Sequence, residues 1–186
     1  QYGLLIDRHR CVGCRTCMIA CKMEHRLPEE IFRMKVYNHE GNIENDRPMA
    51  KGASFEMNWT PTPCMHCREP KCIPECPTGA IKKREDGIVF IDQGLCNGCE
   101  ACIAACPYGV PEFMSRYNVA DKCDLCMHRI DTGRNPICVE VCPGRAISVG
   151  EMDAAYSPLA ERVKKEGAYQ MLPEEGTDPS VYYKAP

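Results

Sequence analysis

The segment Cys96–Pro107, CNGCEACIAACP, decides the fold class of this chain. Its first three cysteines are each separated by two residues, the fourth follows after three more, and a proline comes next. The segment Cys11–Cys21 repeats this spacing, with a lysine in place of the proline. Working outward from these two segments, all sixteen cysteines fall into four groups of four. Group one is Cys11, Cys14, Cys17 and Cys21; group two is Cys64, Cys67, Cys72 and Cys76; group three is Cys96, Cys99, Cys102 and Cys106; group four is Cys123, Cys126, Cys138 and Cys142.

Disulfide bonds, zinc and iron–sulfur clusters are the three uses that this many cysteines suggest. Disulfides are disfavoured because cysteines two residues apart are poorly placed to meet in the required geometry. Structural zinc is an alternative, since two C-x2-C pairs make a tetrahedral site of four thiolates. Groups one and three instead match the bacterial ferredoxin spacing, in which three thiolates bind one cluster and the fourth binds the other cluster of a pair. The sequence therefore predicts iron–sulfur clusters in pairs.

The loops around these cysteines carry two further expectations. Gly13 and Gly98 lie between the first two cysteines of groups one and three, where a residue without Cβ lets the backbone approach a cluster closely. The fourth cysteine of a group is expected on the first turn of a short helix, directed toward the neighbouring cluster.

Composition excludes several classes of function. The chain has 23 Lys and Arg against 26 Asp and Glu, a formal charge of −3, and no long basic run, so we expect no nucleic-acid partner. No apolar stretch approaches the ~18 residues that span a bilayer, and the N-terminal apolar segment is too short for a signal peptide. If the four groups of cysteines bind four clusters, and each oxidised cluster with its thiolates adds about −2, the protein with its clusters carries a charge of about −11.

No catalytic residue is predicted. The phosphate-binding, serine-hydrolase and dinucleotide-binding glycine motifs are absent from the sequence, and every cysteine already belongs to a group. His66 lies between two cysteines of group two, and His128 follows group four's Cys126 by two. Each is either a hydrogen-bond donor that tunes a cluster or, as the favoured interpretation, a surface residue on a cluster loop. The same two interpretations, with the same preference for a surface residue, apply to His9 and His25, which flank group one.

We predict an α+β fold of two ferredoxin-like dicluster units, with short helices and β-hairpins around the clusters, long loops and an extended C-terminal tail. Groups one and four form an outer unit from residues 1–31 and 116–150. Groups two and three form an inner unit over residues 64–115. Residues 32–63, which include Pro48 and Gly52, are a connecting loop of a length that is usually functional. Residues 151–186 are a helix and a partner-docking tail.

Several elements are predicted within this plan. Tyr2–Asp7 is a strand, and a hairpin turns at Asp86–Gly87 with Ile88–Ile91 as its return strand. Ser157 caps a helix that ends at Gly167, and the extended segment after it is expected to lie against another subunit. Trp59, the single tryptophan, is expected to pack over the cluster pair.

The order of the four groups, with KCDLC at 122–126 and PICVEVCP at 136–143, resembles the iron–sulfur subunits of complex molybdopterin oxidoreductases, such as dimethyl sulfoxide, polysulfide and arsenate reductases. The resemblance covers residues 3–150 and implies four 4Fe-4S clusters. It assigns cluster a to Cys11, Cys14, Cys17 and Cys142; cluster b to Cys21, Cys123, Cys126 and Cys138; cluster c to Cys64, Cys67, Cys72 and Cys106; and cluster d to Cys76, Cys96, Cys99 and Cys102.

The same resemblance implies an electron-transfer subunit that is not an enzyme by itself. Its partner would be a large catalytic subunit carrying molybdopterin guanine dinucleotide with molybdenum or tungsten, with a membrane quinone-linked subunit or a soluble electron donor as a further partner. Such subunits are cytoplasmic, or periplasmic after co-export with a twin-arginine partner. The alternatives are a polyferredoxin, a hydrogenase-type subunit and a zinc-stapled interaction module.

A narrower resemblance concerns three segments, residues 61–67, 84–92 and 176–184. They are similar to the small subunit of pyrogallol–phloroglucinol transhydroxylase. This implies a partner that acts on phenolic or catecholic substrates.

Overall fold

The computed structural model describes residues 1–43, 49–51, 54–56 and 58–186. Pro48 and Gly52 of the predicted connecting loop lie outside these residues. In sequence order the strands are β1 (Tyr2–Asp7), β2 (Lys35–Tyr37), β3 (Met49–Lys51), β4 (Ser54–Glu56), β5 (Thr60–Thr62), β6 (Ile81–Lys83), β7 (Val89–Ile91), β8 (Glu112–Met114), β9 (Val119–Asp121), β10 (Ile147–Glu151), β11 (Tyr169–Gln170) and β12 (Val181–Lys184). The α-helices are α1 (Thr16–Glu24), α2 (Ala101–Ala105), α3 (Met127–Ile130), α4 (Ile137–Glu140) and α5 (Pro158–Lys165), and 3-10 helices cover Arg8–Arg10 and Pro173–Glu175.

The largest sheet has the strand order β10-β1-β12-β11. Strand β1, predicted from its apolar run, is confirmed as an inner strand that pairs antiparallel with β10 and parallel with β12. Its side chains Leu4, Leu5 and Ile6 are 0–1 % exposed. A strand covered on both faces has a continuous apolar run rather than an alternating one, and residues 3–6 have this pattern.

The C-terminal segment is extended as predicted, but β12 belongs to the interior of this chain. It lies between β1 and β11, and Tyr183 is fully buried, with its hydroxyl donating to the carbonyl oxygen of Pro61 at 3.0 Å. The expectation that this segment lies against another subunit is therefore wrong for β12. Its Val181 and Tyr183 are buried whereas Tyr182 and Lys184 are partly exposed, the period-two pattern of a half-buried strand.

Four two-stranded ribbons surround this sheet: β2–β5, β3–β4, β6–β7 and β8–β9. The predicted hairpin is confirmed as β6–β7, with Gly87 at φ +86° in its turn and the return strand beginning one residue later than expected, at Val89. Met34, which precedes β2, and Val36 within it are 2 % and 0 % exposed. The N-terminal end of the 32–63 connection is therefore part of the core rather than a free loop.

The helices are short, and α5 follows the start and stop signals predicted for it. The Ser157 hydroxyl accepts a hydrogen bond from the Ala160 amide at 3.0 Å, so it caps α5 as predicted, and Gly167 at φ +62° ends it. One main hydrophobic cluster contains Leu4 and Leu125 from the predicted outer unit together with Met65 and Ile88 from the inner unit. The two predicted units are packed on one shared core, and their boundaries stay a prediction. Within the described part of the sequence, no helix combines the length and hydrophobicity that a membrane crossing requires.

Candidate metal centres

Groups one and three share one backbone path. Arg15 and Glu100 occupy the same place between the second and third cysteines, and both adopt left-handed conformations with φ of 57° and 59°. Each directly precedes a helix, so Cys17 of α1 and Cys102 of α2 lie in the first helical turn. The fourth cysteine of group one, Cys21, lies one turn further along α1, and that of group three, Cys106, lies just past the end of α2. The prediction that the fourth cysteine lies on the first turn of a helix is therefore wrong. The left-handed residue starts the helix earlier than the spacing alone suggested.

Gly13 and Gly98 also occupy equivalent places, at φ +65° and +73°. A Cβ on Gly13 would lie 2.2 Å from the Trp59 ring, and one on Gly98 would lie 2.6 Å from the carbonyl oxygen of Asn118. Positive φ and a close approach are therefore both found, but the neighbours that exclude a side chain are Trp59 and Asn118. Trp59 is partly buried and packs against the main core beside the group one loop, and its packing over a cluster pair stays a prediction.

The structure brings the sixteen cysteines together in four places, which we call sets a to d. Set a is Cys11, Cys14, Cys17 and Cys142, which line one small cavity. Set b is Cys21, Cys123, Cys126 and Cys138, whose thiols are close enough to influence one another's ionisation. Set c is Cys64, Cys67, Cys72 and Cys106, and set d is Cys76, Cys96, Cys99 and Cys102, each lining a further cavity.

Each set contains the four cysteines that the resemblance assigns to one cluster, and ligation of iron by them stays a prediction. Every set combines three cysteines of one group with one cysteine of another. Because Cys17 and Cys21 lie four residues apart on α1, the helix places one in set a and the other in set b. The spacing thus splits a group between two neighbouring sets.

Backbone amides are directed at the sulfur atoms. The Ala146 amide donates to Cys142 Sγ at 3.2 Å, and the Ala120 amide donates to Cys96 Sγ at 3.4 Å. The Leu125 amide donates to Cys123 Sγ, also at 3.4 Å. Such donors stabilise negative charge on sulfur, whether in a thiolate or in a cluster.

The donor chemistry fits iron–sulfur clusters. Burial raises the pKa of Cys17 to about 12, and the neighbouring Cys11 and Cys142 thiols add to this. Burial also raises the pKa of Cys67 and Cys72 to about 12, with Cys64 as the next contributor in both. Four crowded, buried sulfurs ionise only with a compensating cation, and an iron core supplies one. Soft thiolate sets of this kind hold iron–sulfur clusters or zinc.

His66 is where the sequence interpretation fails most clearly. It is 1 % exposed, so the favoured surface interpretation is wrong for this residue. Its Nδ1 accepts a hydrogen bond from the Val89 amide at 3.1 Å, which leaves the proton on Nε2, 3.8 Å from Cys123 Sγ. Burial holds the pKa of His66 well below its ordinary value, and the charge of Lys122 adds to this, so the ring is neutral.

His25 makes an equivalent contact from the other side of set b. Arg33 Nη1 donates to its Nδ1 at 3.0 Å, so its Nε2 carries the proton and lies 3.2 Å from Cys126 Sγ. Burial lowers the pKa of His25. His128 lies in a different environment. It is exposed, and its Nε2 lies 2.8 Å from Glu24 Oε1. The surface interpretation therefore holds for His128 and not for His25.

Two charged residues beside the sets were missed. Arg33 is largely buried and forms a fork to Asp121, at 2.7 and 2.8 Å, and a bond to Asp124 at 2.9 Å. Lys122 is 3 % exposed and donates to Cys64 Sγ at 3.5 Å. Arg33 lies in the long connection, far from any cysteine group, so only three-dimensional contacts reveal it. Lys122 directly precedes Cys123, and a lysine at the start of a cysteine loop was the available signal.

The fold and the four cysteine sets define a ferredoxin-type, multi-cluster electron carrier. Two family models, both described as a 4Fe-4S dicluster domain, match residues 55–152 and residues 10–80. Together with sixteen cysteines, these two dicluster matches correspond to four 4Fe-4S clusters.

Similar proteins cover nearly the whole sequence. The iron–sulfur B subunit of the putative dimethyl sulfoxide reductase from Halobacterium salinarum is 37 % identical over 98 % of the present protein and 78 % of its own length. The B subunit of tetrathionate reductase from Salmonella typhimurium is 36 % identical over 98 % of the present protein and 72 % of its own length. The B subunit of anaerobic dimethyl sulfoxide reductase from Escherichia coli is 40 % identical over 86 % of the present protein and 82 % of its own length.

The present protein belongs to the family of iron–sulfur subunits of the molybdopterin oxidoreductases. In that family it is an electron-transfer subunit rather than an enzyme on its own, and it works with a catalytic partner.

Proposed function

We propose that sets a, b, c and d each ligate one 4Fe-4S cluster and that single electrons pass along them in that order. The convergence of four cysteines in each of four places is the observation that carries this proposal. A bound cluster supplies one-electron chemistry. The protein's own residues hold the sulfurs, direct amide and imidazole N–H groups at them, and bury all four cysteines of set b.

The order of the sets follows from shared elements. Helix α1 carries Cys17 of set a and Cys21 of set b, and helix α2 begins next to Cys102 of set d and ends next to Cys106 of set c. Between these two pairs, Cys64 of set c lies close enough to Cys123 of set b to influence its ionisation. Sets b and c are therefore the inner neighbours, and sets a and d are the ends.

The two ends are also where electrons can enter and leave. Cys14 of set a and Cys99 of set d are exposed, whereas every cysteine of set b is buried. Electron transfer between proteins needs a redox centre close to the docking surface, and the two exposed cysteines belong to the end sets, whereas those of set c are partly exposed. One end would serve the catalytic partner and the other a second redox protein.

The finer identity of the partners extends the proposal. The catalytic partner is a large subunit with molybdopterin guanine dinucleotide and molybdenum or tungsten, acting on a phenolic or catecholic substrate. The narrower resemblance of residues 61–67, 84–92 and 176–184 supports this substrate class. The second redox protein is a membrane quinone-linked subunit or a soluble donor, in the cytoplasm or, after twin-arginine co-export, in the periplasm.

Anaerobic purification of the protein with its co-expressed catalytic partner tests the main proposal. We expect about 16 iron atoms and as many acid-labile sulfides per molecule, and a pterin-containing partner that is reduced only when this iron–sulfur protein is present. A colourless protein with zinc and no labile sulfide would contradict the proposal. Turnover of a phenol panel against sulfoxides and tetrathionate by the same complex tests the substrate class, and fractionation tests the location.

A further inference from the structure

Lys122 occupies the boundary between sets b and c. It directly precedes Cys123 of set b in the sequence. Its ammonium donates to Cys64 Sγ of set c at 3.5 Å, to the carbonyl oxygen of Cys123 at 3.1 Å and to the carbonyl oxygen of Val89. These three acceptors match the three donors of a lysine ammonium. The residue thus touches one set through a sulfur and the other through a ligand's backbone.

In the part of the chain that the structure describes, the charge of Lys122 has no carboxylate partner. The side chain is 3 % exposed, and within the described residues no carboxylate forms an ion pair with it. A buried ammonium is costly unless negative charge lies nearby. Two clusters with their thiolates, each about −2 when oxidised, would supply that charge from both sides.

His66 joins the same two sets by a second route. It lies in the sequence between Cys64 and Cys67 of set c, and its Nε2–H faces Cys123 Sγ of set b at 3.8 Å. The Val89 amide fixes the ring orientation by donating to Nδ1. Val89 therefore anchors both residues, since its carbonyl oxygen accepts from Lys122.

We propose that Lys122 is a positioning residue for electron transfer, whose single positive charge is shared by clusters b and c and raises the reduction potentials of both. The inference rests on the proposed function, because it needs clusters in sets b and c. When one electron moves between them, the donor cluster is oxidised by one electron and the acceptor is reduced by one, and no bond forms or breaks. A charge placed between the two favours reduction of either, so its removal lowers both potentials.

Redox-poised electron paramagnetic resonance of three variants of the protein tests this. Lys122→Met removes the charge and keeps the length of the side chain, whereas Lys122→Arg keeps the charge. Lys82→Met is the control, because Lys82 is half-exposed and pairs with Asp92 on the surface. Iron and sulfide are measured in each variant first. Four clusters in the unmodified protein establish the proposed function independently of what Lys122 does.

The expected result is that two of the four potentials fall in Lys122→Met, each by about tenfold in the reduction equilibrium, or about 59 mV. The other two potentials stay in place, and Lys122→Arg and Lys82→Met resemble the unmodified protein. Cys126→Ser and Cys72→Ser, which alter one cluster each, identify the two signals as b and c. Four unchanged potentials, or a shift confined to one cluster, would overturn the inference.

A purely structural role predicts something else. If Lys122→Met loses a cluster, Lys122→Gln repeats the measurement with a donor but no charge. Two lowered potentials in Lys122→Gln support the inference. Loss of a cluster in both neutral variants, with all four retained in Lys122→Arg, would assign Lys122 to folding alone and overturn it.

Discussion

Sets b and d each hold four cysteines, but they lie in opposite surroundings. All four cysteines of set b are buried, whereas in set d only Cys102 is buried and Cys99 is exposed. Set b adjoins the main hydrophobic cluster, and set d adjoins a small cluster under the β6–β7 hairpin. The same cofactor type is thus expected once in the interior and once at the surface.

The protein stabilises negative sulfur differently in these two places. At Cys76 of set d, burial is outweighed by backbone N–H donors from Ile81, Thr78 and Ala80, so the pKa of this thiol is lowered. At set b, whose cysteines are all buried, side chains add to backbone donors such as the Leu125 amide at Cys123 Sγ. His25 contacts Cys126, and Arg33 lies close enough to lower the pKa of Cys21 against the effect of burial. Both sets use backbone amides, and the buried set b adds imidazole and guanidinium groups to them.

The largest expected effect comes from removing a ligand at each place. Cys138→Ala, in the fully buried set b, should abolish one cluster and with it the folded structure, because metal-site energy is folding energy. Cys99→Ala, at the exposed end, should lose or convert one cluster and keep the other three. Iron content and thermal unfolding measured by circular dichroism distinguish the two. Equal loss of structure in both variants would show that burial does not distinguish set b from set d.

The charges around set b should be the next most costly to remove. Arg33→Met deprives the buried carboxylate of Asp121 and the partly buried one of Asp124 of their cationic partner, and should lower the free energy of unfolding by about 3–5 kcal/mol. Lys82→Met, which removes a surface ion pair beside set d, should give no measurable change. Anaerobic urea denaturation measures both. A small effect of Arg33→Met, matched by Arg33→Lys, would show that set b does not depend on this network.

Iron removal should separate the end sets from the inner ones. Incubation with a ferrous chelator and a mild oxidant is expected to release iron in two phases, with roughly half leaving early from sets a and d, where a cysteine is exposed. Absorbance of the chelate follows the phases, and Cys14→Ser should accelerate the first phase only. A single phase for all iron would indicate that exposure does not distinguish the sets.

The smallest expected effect compares three equivalent turns. Gly79 and Gly109 lie three residues after Cys76 and Cys106 with φ of 65° and 59°, and Arg145 lies three residues after Cys142 with φ of 47°. Only glycine adopts this conformation without strain, so Arg145→Gly should raise the free energy of unfolding by about 1 kcal/mol. Gly79→Arg, in open space, should lower it by a similar amount in the same denaturation assay. An unfavourable Arg145→Gly would point to contacts of the arginine side chain.

Local signals allowed much of the fold to be predicted. The turn at Gly87, the cap at Ser157 and the apolar strand Leu4–Ile6 each depend on neighbouring residues, so their patterns are visible in the sequence. The cysteine spacing indicated the groups for the same reason. The position of the fourth cysteine was predicted wrongly because Arg15 and Glu100 adopt left-handed conformations. In the sequence only a glycine would have indicated such a conformation.

Long-range contacts could not be predicted. Strand β12 pairs with β1 across almost the whole length of the sequence, Leu4 opposite Val181, and four residues give too short a pattern to indicate a partner. The contacts of His66 with Cys123 and of Lys122 with Cys64 likewise join residues that lie 57 and 58 positions apart in the sequence. The residues that surround the sulfurs are therefore visible only once the sets have formed.

A coulometric reductive titration of the anaerobically purified, iron-loaded protein tests the central claim most directly. We predict an uptake of about four electrons per molecule, one for each set. We also predict spin–spin interaction in the fully reduced protein between neighbours a–b, b–c and c–d, seen as broadening of the paramagnetic resonance signals. An uptake of two electrons or fewer, or four signals without interaction, would contradict a continuous path of four clusters.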